Sequence, residues 1–366
     1  MTMRRRWVVD ALLAALLVAL WRIDAAEERG RADARAHDSA FHHLGEPATV
    51  SAGDVLRFEL HLPEGSRVAS FQSVSTWTYV RGGDGWRMPQ YHDGLAVAQK
   101  VDGLLAAWLE SRGTQVGSLP DDGAHFELVP GKTLDVDFFA TAGTEKPLLH
   151  VSTGGIAPGQ RAGECFMAAA NGPAILQMNA NPWERLDLPS ASTFPPLLDT
   201  HVLAGAQAGQ PPEEIRFEGE WAPFRAMVRR KASDEERRPG PGGPGGRFDW
   251  FAESGDGETR IESEAAMRYI ARIHTLEIDE LIDPAGVGAE ETAAPVLTLT
   301  IASGSAGVRT VVVSPPDAQG RHTVTDGGSH QTSLVSEAKA RELVPADLTQ
   351  PPSRPPGTPA TDVAAP

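Results

Sequence analysis

His37, His42 and His43 form the densest group of imidazoles in the sequence and pose the question of a metal site. Their spacing can bring His37 and one neighbour to a common side. No nearby carboxylate or cysteine completes a ligand set, so the group reads as part of a solvated linker. The only cysteine, Cys165, falls in a strand-like run without a matched His or Asn. It reads as a small buried residue rather than a nucleophile, and it excludes an internal disulfide. The run "STGGIAPG" (152–159) is glycine-rich but lacks the Lys-Ser/Thr of a phosphate loop. In "SGSAG" (303–307) no glycine stands two residues before Ser305, which excludes a nucleophile elbow. Asp135, Asp137 and Glu164 are the carboxylates that a hydrolase or glycan-binding site would draw on, yet the two halves of the chain share no carboxylate pair. No catalytic, cofactor-binding or metal-binding residue is therefore assigned, and no cofactor is expected.

Tryptophans offer a different kind of site. Trp77, Trp86, Trp108, Trp183, Trp221 and Trp250 could line a groove for peptide or glycan. Two of them recur in similar settings, "GDGWRMP" (83–89) and "GRFDWFAESGDG" (246–257), each shortly before a helix-like run. That recurrence favours Trp86 and Trp250 as core residues. Trp183 and Trp221 have no counterpart and are the better candidates for contacts.

The elements around these tryptophans repeat as well. "VLRFELHLPEG" (55–65) matches "EIRFEGEWAP" (214–223), and "STWTYVRG" (75–82) matches "FRAMVRR" (224–230). From Trp86 to Leu134 is 48 positions, and from Trp250 to Leu297 is 47. The alternating runs "LDVDFFATAG" (134–143) and "LTLTIASGSAG" (297–307) have the period of half-buried strands. "LLHVS" (148–152) and "TVVVS" (310–314) follow as hairpin partners, then "ECFMAAANG" (164–172) and "RHTVTDGG" (321–328) as third strands. Between tryptophan and hairpin, Leu95, Ala98, Val101, Leu105, Trp108 and Leu109 form one helical stripe, with Asp93 as its expected N-cap. Ala266, Ile270, Ile273 and Leu276 form the other, with Ser263 as the cap.

Both ends of the chain differ in character from this middle. "RRR" (4–6), the apolar run "WVVDALLAALLVALW" (Trp7–Trp21) and a polar stretch fit an N-terminal transmembrane helix with tryptophans at both interfaces. The run is short against the roughly 20 residues that cross a bilayer, and snorkelling arginines make up the difference. An uncleaved signal anchor is favoured over a cleaved peptide, because Ile23 or Asp24 stands where cleavage needs a small residue. "QPPSRPPGTPATDVAAP" (350–366) cannot bury a core, and "RRKASDEERRPGPGGPGG" (229–246) reads as a flexible insertion. A formal net charge of -16 argues against binding to nucleic acid or to anionic lipid.

The expected fold is α+β: two tandem repeats of about 140 residues, each a mostly antiparallel sheet with one packed helix, behind the transmembrane helix. The boundaries are a signal anchor at 1–24, a juxtamembrane linker at 25–45 and a first repeat domain at 46–202. A linker at 203–213 leads to a second repeat domain at 214–349, which carries the insertion 229–246, and a disordered tail fills 350–366.

This order of parts resembles the domain-of-unknown-function 4340 family. The likeness rests on the membrane segment, the paired strands, "GDGWRMP", the helix, the alternating hairpin and the later repetition of the unit. "LLDTHVLAG" (197–205) and "LEIDELIDPAGVG" (276–288) add to it, and it covers residues 1–349. The Gly/Pro insertion and the "FDWFAE" form of the second tryptophan motif depart from the family pattern. The resemblance implies a bacterial inner-membrane protein, single-pass, with its bulk in the periplasm or outside. It also implies a non-enzymatic accessory subunit of an ABC-type transport or gliding-motility-like complex, with a permease or other envelope proteins as partners. No catalytic residues are established for that family, so none are carried over. The alternative is a periplasmic hydrolase or a glycan- or peptide-binding protein with its site between the two repeats.

Overall fold

The computed structural model describes residues 41–44, 50–63, 76–154, 165–186, 194–206, 211–231, 248–284, 294–304, 307–346 and 348. Antiparallel strands dominate it. The first sheet contains β1 (Phe41–His43), β2 (Arg57–His61), β3 (Thr76–Gly82), β4 (Gly85–Met88), β5 (Gly94–Leu95), β6 (Arg112–Ser118), β7 (Leu134–Phe139), β8 (Leu149–Thr153), β9 (Cys165–Ala169) and β10 (Ala174–Met178). The second contains β11 (Glu214–Glu218), β12 (Ala226–Lys231), β13 (Phe248–Ser254), β14 (Gly257–Ile261), β15 (Glu280–Ile282), β16 (Leu297–Ser303), β17 (Gly307–Pro316), β18 (Arg321–Asp326) and β19 (Gln331–Ser336). Helices are few among the described residues: α1 (Ala98–Leu109), α2 (Pro182–Leu186), α3 (Ser263–Thr275) and α4 (Glu337–Glu342).

The expectation of an α+β fold is thereby overturned: the described chain is mainly β, in two large antiparallel sheets. Strands that do not alternate cause the discrepancy. Beta-strand β6, "RGTQVGS", holds its buried position with Gly113, and β14, "GETRI", is exposed except at Ile261. Neither shows the period-two apolar signal by which a strand is recognised. Among the described residues no helix is long and apolar enough to cross a membrane. The segment 1–24, read as an anchor, lies outside the described residues, as do most of the linker 25–45 and the tail 350–366. Of the insertion, Arg229 to Lys231 complete β12, and 232–246 lies outside them.

The first sheet runs β1-β6-β10-β9-β8-β7-β2-β3-β4-β5, and the second, from the matching edge, β15-β19-β18-β17-β16-β11-β12-β13-β14. Without β1, the nine remaining strands of the first sheet follow the same connectivity as the nine of the second. α1 falls between β5 and β6, and α3 between β14 and β15. Trp86 stands in β4 and Trp250 in β13, the same place in each order. By compactness the chain divides into one unit of 1–78 with 102–192 and another of 79–101 with 193–366.

Alternation explains the core of the first unit. In "RFELH" Phe58 and Leu60 face inward, and in "LDVDFF" Leu134, Val136 and Phe138 do the same. Trp108 of α1 packs edge-on against Phe138 with ring centroids 5.9 Å apart, and its indole N–H donates to Thr153 Oγ1 at 3.1 Å. A buried indole needs such an acceptor. In the second unit α3 buries Ala266, Tyr269, Ile270 and Ile273, and the Tyr269 hydroxyl donates to the Leu343 carbonyl at 2.7 Å. The helix starts differ from expectation. α1 begins at Ala98, five residues after Asp93, and α3 begins at Ser263 itself after Glu262, with no side-chain cap bond.

Candidate functional site

The inward residues of β2, β7 and β8 leave their alternate positions on the opposite face of the sheet, and those positions are polar. Arg57, Glu59 and His61 come from β2, Asp135 and Asp137 from β7, and His150 and Ser152 from β8. The ladder pairs Glu59 with Asp137 and His61 with Asp135. On the other side it pairs Asp137 with His150 and Asp135 with Ser152. Residues far apart in sequence thus meet on one partly exposed patch.

Asp137 is the centre of this patch. Its Oδ2 lies 2.9 Å from His61 Nε2 and its Oδ1 lies 2.8 Å from His150 Nδ1, so an ionised carboxylate accepts from two imidazole N–H groups. Burial alone would raise its pKa. The hydrogen bonds from His150 and then His61 outweigh that and hold the carboxyl well below the usual carboxylate range. The same carboxylate raises the His150 pKa, against an opposing effect of burial. The outer ring nitrogens are held as well, His61 Nδ1 by Thr76 Oγ1 at 3.0 Å and His150 Nε2 by Ser152 Oγ at 3.4 Å. One ligand atom each from Glu59, His61 and Asp137 lies within 4.8 Å of the others, close enough for a common cation.

A second concave feature lies in the other unit. A cavity of about 630 Å³ is lined by Asp84, Arg87, His92, Asp93, Asp283 and His330, among others. Arg87 organises its wall: it pairs with Asp84, donates to the Asp93 carbonyl at 2.8 Å and donates to the Ser329 carbonyl at 2.7 Å. His92, Asp93 and His330 have φ of 53°, 54° and 58°, the left-handed region that costs non-glycine residues energy. Asp93, expected as a helix cap, is a wall residue of this cavity instead.

Other residues singled out from the sequence take modest roles. Cys165 is buried, its thiol donates to the Ala180 carbonyl at 3.1 Å, and burial pushes its pKa up to about 12. His42 and His43 are in β1, where Arg112 donates to His43 Nε2 at 3.0 Å. His37, Glu164 and Ser305 lie outside the described residues. Trp77, Trp86, Trp108 and Trp250 are buried. Trp183 and Trp221 are half-buried and engaged by their own chain: the Trp183 indole donates to the Gly154 carbonyl at 3.2 Å, and Arg341 stacks 3.6 Å from the centre of the Trp221 ring.

Of the carboxylates named from sequence, the structure brings Asp135 and Asp137 into the patch. Glu59, His61 and His150 were missed. A signal for them existed in the polar positions of "RFELH", "LDVDFF" and "LLHVS", which all point to one face if the three strands are neighbours. No known family model, curated protein or solved structure matches the chain.

Proposed function

We propose that the protein is a non-enzymatic envelope protein, tethered at the bacterial inner membrane through its N-terminal apolar segment. Its two sheets stand outside that membrane and serve an ABC-type transport or gliding-motility-like complex as an accessory subunit. The supporting observation is the strand order built twice in one chain. Two sheets of one strand order on a single polypeptide suit a partner assembled from paired subunits, because the second contact then forms at high effective concentration. The resemblance to the domain-of-unknown-function 4340 family points the same way.

Leu148 and Val308 stand 46% and 70% exposed beside the β7–β8 and β16–β17 hairpins. Photo-cross-linking residues placed there should yield adducts with a permease or ATPase subunit in intact cells. Adducts with neither would contradict the reading.

A second reading, a periplasmic hydrolase or a glycan- or peptide-binding protein, is favoured by the cavity around Arg87. Its volume falls in the range of small-molecule sites, about 300–1,000 Å³. Release of soluble products from envelope glycans by the purified chain would support it over the first.

A further inference from the structure

The two sheets treat the same face differently. In β16, the strand that matches β7, the outward positions are Thr298 and Thr300, whereas β7 has Asp135 and Asp137 there. The fold therefore builds this face with hydroxyls in one sheet, and the charges of the other are not a requirement of the strand order. Three carboxylates and two imidazoles gathered on three adjacent strands are costly to hold together unless something compensates them.

Among the described residues, compensation is incomplete. Asp135 Oδ1 is buried and has no hydrogen-bond partner. Arg57 pairs with Glu59, but its Nη1 and Nη2 donate to the carbonyls of Ala142 and Thr144, at 2.7 and 2.6 Å. Only its Nε faces Glu59, at 3.6 Å. Asp137 is held by two imidazoles, whereas Glu59 and Asp135 beside it are only weakly compensated, so the patch is suited to a cation.

We propose that Glu59, His61 and Asp137 bind one divalent first-row transition ion of the Zn²⁺ type, with His150 as the residue that positions Asp137. One imidazole and two carboxylates suit such an ion, whereas Ca²⁺ and Mg²⁺ take oxygen ligands. Bonds of about 2.0–2.2 Å around a tetrahedral ion put ligand atoms roughly 3.4 Å apart. Ligand atoms already within 4.8 Å of one another need only small side-chain rotations to reach this. Glu59 and Asp137 are register partners on neighbouring strands, so the backbone fixes their separation.

The surrounding hydrogen bonds fit both states. Without the ion, His61 Nε2–H donates to Asp137 and its Nδ1 accepts from the Thr76 hydroxyl. With it, Nε2 presents its lone pair to the metal, and Nδ1–H donates to Thr76 Oγ1, which accepts as readily as it donates. His150 stays on Asp137 Oδ1 while Oδ2 turns to the ion.

The test is a Zn²⁺ titration of the full-length, chelator-stripped protein in detergent against a chromophoric competitor. The expected result is one ion per chain, bound about tenfold or more weakly by Asp137→Asn and by His61→Ala. A His42→Ala/His43→Ala variant should bind like the wild type. Thermal melting of each variant controls for folding, and Zn²⁺ should raise the wild-type Tm but not that of Asp137→Asn. If Asp137→Asn does not melt cooperatively, Glu59→Gln decides, and it too should lose about tenfold. Absence of stoichiometric binding to the wild type, unchanged affinity in Glu59→Gln, or loss of binding in the His42/His43 variant each overturns the proposal.

Discussion

His150 Nδ1 donates to Asp137 Oδ1 at 2.8 Å across the β7–β8 ladder, and this pair holds the carboxylate that the rest of the polar patch shares. Both side chains are partly exposed, 34% and 20%. A double-mutant cycle with His150→Ala and Asp137→Ala in chelator should give a coupling of about 1 kcal/mol, the scale of a partly screened pair. Urea midpoints measure it, and additive effects would show that the contact contributes nothing.

Trp86 and Trp250 are each 2% exposed, at equivalent places in their sheets. Trp86→Ala and Trp250→Ala should each cost about 3–5 kcal/mol through lost burial and the cavity left behind. Trp221→Ala removes the stack on Arg341 from a half-buried site and should cost about 1–2 kcal/mol. Denaturant unfolding of the three variants gives the ranking, and equal losses would contradict the assignment of the first two to the core.

The Cys165 thiol, buried and with its pKa pushed up to about 12, holds almost no thiolate at neutral or mildly alkaline pH. Ellman's reagent at pH 8 should leave the native protein unmodified over the time in which the denatured chain reacts fully. Rapid reaction of the native protein would mean an exposed or activated thiol.

Asp326 joins three parts of the second unit. It pairs with Arg309, accepts from the Gly328 and Ser329 backbone N–H groups at 3.0 and 3.1 Å, and accepts from the Ser329 hydroxyl. Arg309 in turn donates to the Ala204 carbonyl at 2.6 Å. Asp326→Ala strands a largely buried guanidinium and two turn N–H groups and should cost about 3–5 kcal/mol. A loss under 1 kcal/mol by urea unfolding would contradict this.

Legibility in the sequence followed alternation. The strands β2, β7 and β16 stand where "RFELH", "LDVDFF" and "LTLTIAS" alternate, β17 where the apolar run "TVVVS" follows as a hairpin partner, and Val101, Leu105 and Trp108 mark the buried stripe of α1. What alternation does not mark was invisible. β6 hides behind Gly113, β14 buries only Ile261 at its end, and the short β4 reads as a turn followed by a tryptophan. With those strands counted as loops, each repeat read as a smaller sheet covered by one helix, which produced the α+β assignment. The polar patch was hidden for another reason. His61 and Asp137 are 76 positions apart, and only the pairing of β2 with β7 brings them together. Periodicity reports which face a residue takes but not which strand becomes its neighbour.

The central claim, that the chain serves as a non-enzymatic partner in an envelope complex, is tested most directly by purifying the full-length protein from its own membranes in mild detergent. Quantitative mass spectrometry of the purified species then gives its subunit composition. The account predicts permease or ATPase subunits in fixed ratio to the chain. A partner-free monomer that releases products from envelope glycans would contradict it.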